Sequence, residues 1–172
     1  ELLWTDTSFN AGRIENLFED SKGNIWFQRA SGMGVYLAAK DSMLNFIYAN
    51  NPANNMQGIL SFAEDRNGKV WVCGSQGWLG YGNVNDPYKG LVYKFNLRER
   101  GISFSFINLA TDKNGEVWGY TSEELIKMNA DNLLFSSYSF RYGLKDADFF
   151  HFSFLPTGDM VFGGRTDITI AN

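Results

Sequence analysis

A single cysteine, a single histidine and three prolines stand among 172 residues. Each scarcity removes a class of explanation. Cys73 alone makes neither an internal disulfide nor a Cys-based zinc site. With His151 the only histidine, no His pair can be assembled for a metal or for acid–base work, and no Gly-x-Ser-x-Gly nucleophile turn occurs. Apolar stretches run for only a few residues, far short of the roughly 20 that span a bilayer, and no charged-then-apolar leader opens the chain. Charge is low and scattered: 15 Lys and Arg against 19 Asp and Glu give a net charge of −4, without a basic face for nucleic acid. The segment therefore reads as soluble and non-enzymatic, with no cofactor, metal or nucleic-acid partner expected.

What the chain does have is a phrase that returns. Asp20-Ser21-Lys22-Gly23-Asn24-Ile25-Trp26 is followed by Asp65-Arg66-Asn67-Gly68-Lys69-Val70-Trp71, by Asp112-Lys113-Asn114-Gly115-Glu116-Val117-Trp118, and by a degenerate Pro156-Thr157-Gly158-Asp159-Met160-Val161-Phe162, in which Val161 takes the Trp place. The spacings are 45, 47 and 43 residues. A fixed period of this size marks a repeat architecture, because one unit cannot bury its own apolar face and needs a neighbour stacked on it. Aromatic residues at 16% and 18 Gly favour short strands and tight turns over helices.

Each unit reads as four short strands, in the first unit Ile14 to Phe18, Asn24 to Gln28, Gly34 to Leu37 and Leu44 to Tyr48. The phrase fills the first hairpin: the Asp accepts hydrogen bonds from backbone N–H groups two or three residues on, and the Gly supplies positive φ. The Trp then opens a strand apolar at successive positions (Ile25, Trp26, Phe27; Val70, Trp71, Val72), which suits cover on both faces. Four strands per unit at this period predict an all-β protein, a β-propeller fragment of about four blades of four antiparallel strands. Residues 1–12 read as the end of a preceding blade, through Leu3-Trp4-Thr5-Asp6, and the blades as 13–57, 58–102, 103–147 and 148–172. Glu1 in place of an initiator Met and a strand-like end at Asn172 lead us to expect an incomplete ring cut from a longer protein. An open arc leaves apolar faces uncovered, so self-association, or a need for the remaining blades, is expected.

These residues resemble a known family. Glu-Asp-x-x-Gly-Asn-Ile-Trp-Phe, with Gly32 and Gly77 six residues after the Trp, is similar to the two-component regulator propeller repeat of the periplasmic sensor region in hybrid two-component systems, best known in gut Bacteroidetes. Tyr142-Gly143-Leu144, Asp148-Phe149-Phe150 and the run Pro156 to Gly164 resemble that family's closing blade. Glu124 and Asp167 depart from the pattern where Gly32 and Gly77 stand. The resemblance implies a periplasmic location in an inner-membrane protein, with the membrane reached only through segments absent here, and a role in sensing an oligosaccharide.

The turn residues Asp20, Gly23, Trp26, Asp65, Gly68, Trp71, Asp112, Gly115 and Trp118 are read as structural, since one or two carboxylates beside Lys22, Arg66 or Lys113 fall short of the six to eight oxygens of a calcium site. Candidate ligand contacts lie in loops joining strands two and three, or joining blades, which a propeller gathers on one face: Arg29, Gln76, Trp78, Tyr120, Arg141, Tyr142, His151 and Arg165. Rings beside amides and guanidinium groups suit a sugar, and they suit a protein partner equally. Trp78 stands out because Met33 and Leu125 hold the matching places, so the repeat does not demand a ring there. The alternative function is a structural or protein-interaction propeller that mediates dimerisation without a small ligand.

Overall fold

The computed structural model describes residues 14–29, 32–47, 58–75, 77–102, 108–121, 124–132, 134–139, 151–165 and 168–172. Four antiparallel sheets follow one another, each with its strands in chain order. The first holds β1 (Leu17–Glu19), β2 (Ile25–Arg29), β3 (Gly32–Leu37) and β4 (Ser42–Ile47). The second holds β5 (Ile59–Glu64), β6 (Lys69–Gly74), β7 (Trp78–Asn83) and β8 (Val92–Asn96). The third is β9 (Asn108–Thr111), β10 (Val117–Tyr120), β11 (Glu124–Met128) and β12 (Phe135–Ser139). In the fourth, β13 (His151–Phe154), β14 (Met160–Gly163) and β15 (Ile168–Ala171) make three strands among the described residues. Leu3 to Asp6 lie outside the described residues.

The strands form where short apolar runs meet a tight turn, and the sheets stack because both faces of their inner strands are apolar. Trp26, Met33 and Val35 of the first sheet pack on Ile59, Phe62, Val70, Val72 and Trp78 of the second. On the second sheet's other face Trp71, Cys73 and Leu79 pack on Leu109, Val117, Ile126 and Met128 of the third. Tyr120 and Leu125 then meet Phe152 and Phe162 of the fourth. First strands of successive sheets lie side by side, β1 by β5, β5 by β9 and β9 by β13, so they mark the inner side of an arc from which the other strands fan outward. One sheet therefore supplies each face of every junction, and the apolar successive residues of β6 point alternately into two of them, Val70 and Val72 into the first and Trp71 and Cys73 into the second.

Close approach is visible in the glycines. The Trp26 ring lies where a Cβ on Gly82 of the next sheet would stand, within 2.5 Å. Trp26 and Trp71 are buried, as their place in the repeat predicts, whereas Trp118 is half-buried. Its ring stacks on the exposed Tyr138 at 5.5 Å and meets Phe154 at 5.9 Å, a thinner cover than its two counterparts have.

Candidate functional site

The three turns share one wiring scheme. In the first, Asp20 Oδ1 accepts from the backbone N–H of Lys22 and of Asn24, each at 2.9 Å, and Oδ2 accepts from Trp26 Nε1 at 2.7 Å. Asp65 repeats this with Asn67, Lys69 and Trp71 Nε1 at 2.8, 3.0 and 2.8 Å. Asp112 does so with Asn114, Glu116 and Trp118 Nε1 at 2.8, 3.0 and 2.9 Å. The backbone donors thus stand two and four residues on, rather than two or three, because a bulged loop with Gly at positive φ spaces them so. The indole bond was the part that reading residue types alone missed, although the constant six-residue interval from Asp to Trp was its signal. Each carboxylate is filled by N–H donors, which leaves it poorly placed to hold a cation, and among the described residues no three His, Cys, Asp or Glu side chains gather to bind a metal. Burial of Asp112 opposes its ionised form, but the Trp118 indole, two backbone N–H groups and Lys127 outweigh it and hold its carboxyl below the usual value.

Polar ties cross the junctions beside these turns. Glu64 accepts from the N–H and the hydroxyl of Ser21, both at 2.6 Å. Arg66 donates to Glu116 and Asp131 of the third sheet, and its own N–H reaches Gly115 O at 3.0 Å. On the inner strands Asn16 Nδ2 donates to Ile59 O at 3.3 Å, the Leu109 N–H donates to Ser61 Oγ at 3.1 Å, and the Thr111 hydroxyl donates to Glu64 O at 2.7 Å.

Of the described loop residues proposed from sequence, Trp78 and Tyr120 belong to the core. Gln76, Arg141 and Tyr142 lie outside the described residues. Trp78 is 3% exposed and packs in the first junction, so its face is closed to a ligand. Register explains the misreading: the hairpin between β6 and β7 carries one residue more than those of the first and third blades, so Leu79 is the counterpart of Met33 and Leu125, while Trp78 matches Gly32 and Glu124. It is the first residue of β7, and its indole covers Gly74, where a Cβ would come within about 2 Å of the ring. Tyr120 is fully buried against Phe152 and Phe162, both at 6.4 Å, and is likewise core. Arg29 is 9% exposed, with its guanidinium 5.3 Å from the Phe27 ring centre. His151 and Arg165 are exposed, both on the fourth sheet or its hairpin.

One shallow pocket of about 170 Å³ opens elsewhere, on the outer half of the second sheet. Tyr81, Asn83, Asp86, Lys89 and Val92 line it with the backbones of Gly82 and Gly90. Lys89 pairs with Asp86 at 2.7 Å, and this pair raises the lysine's pKa. A half-buried ring beside an amide, a carboxylate and an ammonium is chemistry that meets hydroxyl-rich ligands. In sequence it shows only as an ordinary turn, Asn83 to Pro87.

No family model matches the chain, and no curated protein matches it. Solved structures do. The chain is similar over 99% of its length to the extracellular domain of a hybrid two-component system, BT3049 of B. thetaiotaomicron, at 21% identity and a TM-score of 0.76, and spans 23% of that chain. A second such domain, BT4673 of the same organism, matches over 93% at 16% identity and a TM-score of 0.71, again with 23% of that chain covered. The fold is an arc of a β-propeller. YCF48 in complex with a D1 peptide shares it over 93% of this chain and 51% of its own, at 14% identity and a TM-score of 0.66. The chain thus spans less than a quarter of the length of the two sensor domains.

Proposed function

We propose that this arc is part of the extracellular or periplasmic sensor region of a hybrid two-component regulator, where it binds an oligosaccharide or passes on the effect of its binding. The observation that carries the reading is the likeness to the BT3049 domain along nearly the whole chain, joined to a repeat that places its polar and aromatic turns at fixed intervals. The role is recognition without turnover. A signal requires a ligand that binds two states unequally, and rigid blades tied by Arg66 and Glu64 transmit a change at one junction to its neighbours. His151 and Arg165 are the exposed ones among the described members of the predicted set, and the pocket at Tyr81, Asn83 and Asp86 is a further place for a sugar ring.

Isothermal titration of a panel of oligosaccharides against the protein, with product analysis of the same mixtures, tests this. Saturable heat with intact sugar supports the reading, and weaker binding in Tyr81→Ala or His151→Ala locates the contact. Cleaved sugar would make the protein an enzyme instead. The protein-interaction alternative draws on two observations: YCF48, of like fold, is solved with a peptide, and the last sheet here exposes Ile168 and Ile170. Silence across the sugar panel together with a bound protein partner would favour it.

A further inference from the structure

Two of the repeated turns carry the same dipeptide, Asn67-Gly68 and Asn114-Gly115, which occurs nowhere else in the chain. Their backbones match. Each Asn N–H donates to Oδ1 of the turn's Asp at 2.8 Å, and each Gly N–H donates to that Asp's carbonyl, at 3.0 Å for Gly68 and 2.9 Å for Gly115. The two glycines have φ of 72° and 73°, and both asparagines face solvent. The turns are therefore a controlled pair that differs only in what surrounds the asparagine side chain.

The Asn67 amide is held across the second junction, where Nδ2 donates to Asp131 Oδ1 at 3.0 Å and to Ala130 O at 3.4 Å. The Asn114 side chain has no hydrogen-bond partner among the described residues. Asparagine is chemically labile because the nitrogen of the next residue can attack its side-chain amide carbon and close a five-membered ring. A following glycine, lacking Cβ, obstructs that approach least. Closing the ring swings the amide carbon onto the Gly nitrogen. For Asn67 this breaks both bonds to the third blade, and for Asn114 it breaks none.

We propose that Asn114 is a modification site at which the chain converts asparagine to aspartate and isoaspartate, and that the isoaspartate form loosens the junction between the second and third blades. The Gly115 nitrogen gives its proton to water or hydroxide and bonds to Asn114 Cγ, the Cγ–Nδ2 bond breaks, and the side-chain nitrogen leaves as ammonia. Water then opens the ring at either carbonyl. The balance is water taken up and ammonia lost, with nothing oxidised or reduced. Opening at the main-chain carbonyl reroutes the backbone through Cγ and lengthens the turn by a carbon atom. The Gly115 N–H bond to Asp112 O and the Glu116 N–H bond to Asp112 Oδ1, at 3.0 Å, both depend on the original length. Gly115 O also accepts from the Arg66 N–H at 3.0 Å, and Glu116 accepts from the Arg66 guanidinium, so the displacement reaches the second blade. The added carboxylate places further negative charge beside Asp112 and Glu116. None of this depends on what the arc binds.

Incubation of the folded protein at mildly alkaline pH, followed by peptide mapping by mass spectrometry and enzymatic methylation of isoaspartate, tests the proposal. Asn114 should convert several times faster than Asn67, and the unfolding midpoint should fall in step with the isoaspartate formed. Asp131→Ala releases the Asn67 amide and should bring its rate up towards that of Asn114, with folding checked by circular dichroism. Asn114→Gln keeps an amide but requires a larger ring, so it should hold its midpoint through the same incubation. Equal conversion of the two asparagines in wild type, or an Asn67 rate that Asp131→Ala leaves unchanged, would overturn the role of the side-chain hold. An Asn114 that stays intact while an unfolded peptide of the same turn converts would overturn the site. A midpoint that falls as far in Asn114→Gln as in wild type would overturn the link to the junction.

Discussion

The turn between β5 and β6 and the turn between β13 and β14 have the same backbone and different side chains. In both, the first residue's N–H bonds the carbonyl four residues on, at 2.9 Å for Asp65 to Lys69 and for Leu155 to Asp159, and the Gly N–H returns to the first residue's carbonyl, at 3.0 Å for Gly68 and 2.8 Å for Gly158. Both glycines have positive φ. Yet Leu155 has no carboxylate and Val161 no indole, so the second turn closes without the Asp-to-Trp bond. The hairpin is thus set by the glycine and the ladder, and the Asp–Trp pair adds something else: it fixes a large ring at the angle at which the next sheet can pack on it.

Removing the ring tests the strongest form of that statement. Trp71→Ala should destabilise by about 3–5 kcal/mol, the range for deleting a buried aromatic, while the half-buried Trp118→Ala should lose roughly half as much in the same denaturant titration. Equal losses would show that the cover of the third junction matches that of the second. Next, Asp65→Ala leaves the buried indole N–H and two backbone N–H groups without their acceptor and should lose about 2–3 kcal/mol, against less than about 1 kcal/mol for the partly exposed Leu155→Ala. A comparable loss at Leu155 would place the stability of these turns in the loop itself and not in the carboxylate.

The glycines give a smaller contrast. Alanine at positive φ costs about 1–2 kcal/mol at either Gly23 or Gly115, but a Cβ on Gly115 also meets the backbone of Arg66 at 3.0 Å, whereas at Gly23 the nearest atom, on Ala38, is 3.9 Å away. Gly115→Ala should therefore unfold at a lower temperature than Gly23→Ala. Midpoints that coincide would mean that Arg66 moves aside freely and that its bonds to the third sheet are slack.

The smallest expected effect depends on pH. The folded carboxyl of Asp112 titrates below its unfolded value of about 3.9, so the stability it contributes is full above that pH and is lost as pH falls through the folded value. Asp112→Asn removes this titration. The stability gap between wild type and Asp112→Asn should be constant at neutral pH and shrink below about pH 4; a gap that persists unchanged in acid would assign the effect to hydrogen bonding alone.

Much of the fold was legible in the residues because a repeat states its period several times over, and a strand covered on both faces announces itself as in Val70-Trp71-Val72. The roles of individual side chains were less so. Trp78 looked like an unneeded ring in a loop because one inserted residue in the β6–β7 hairpin shifts the count, and only the strand pairing reveals that it lies on Gly74. Tyr120 looked like a binding residue because sequence does not distinguish a ring that packs on Phe162 from one that faces water. The exposure of Ile168 was hidden for the opposite reason: by its place in the repeat it should be core.

Cys73 lies within the second junction, fully buried, with burial pushing its thiol up to about 12. Being the chain's one thiol, it is a built-in clock for that interface. Alkylating reagents reach it only when the second and third blades part, so labelling followed against time reports how often they do, without any probe having to be introduced.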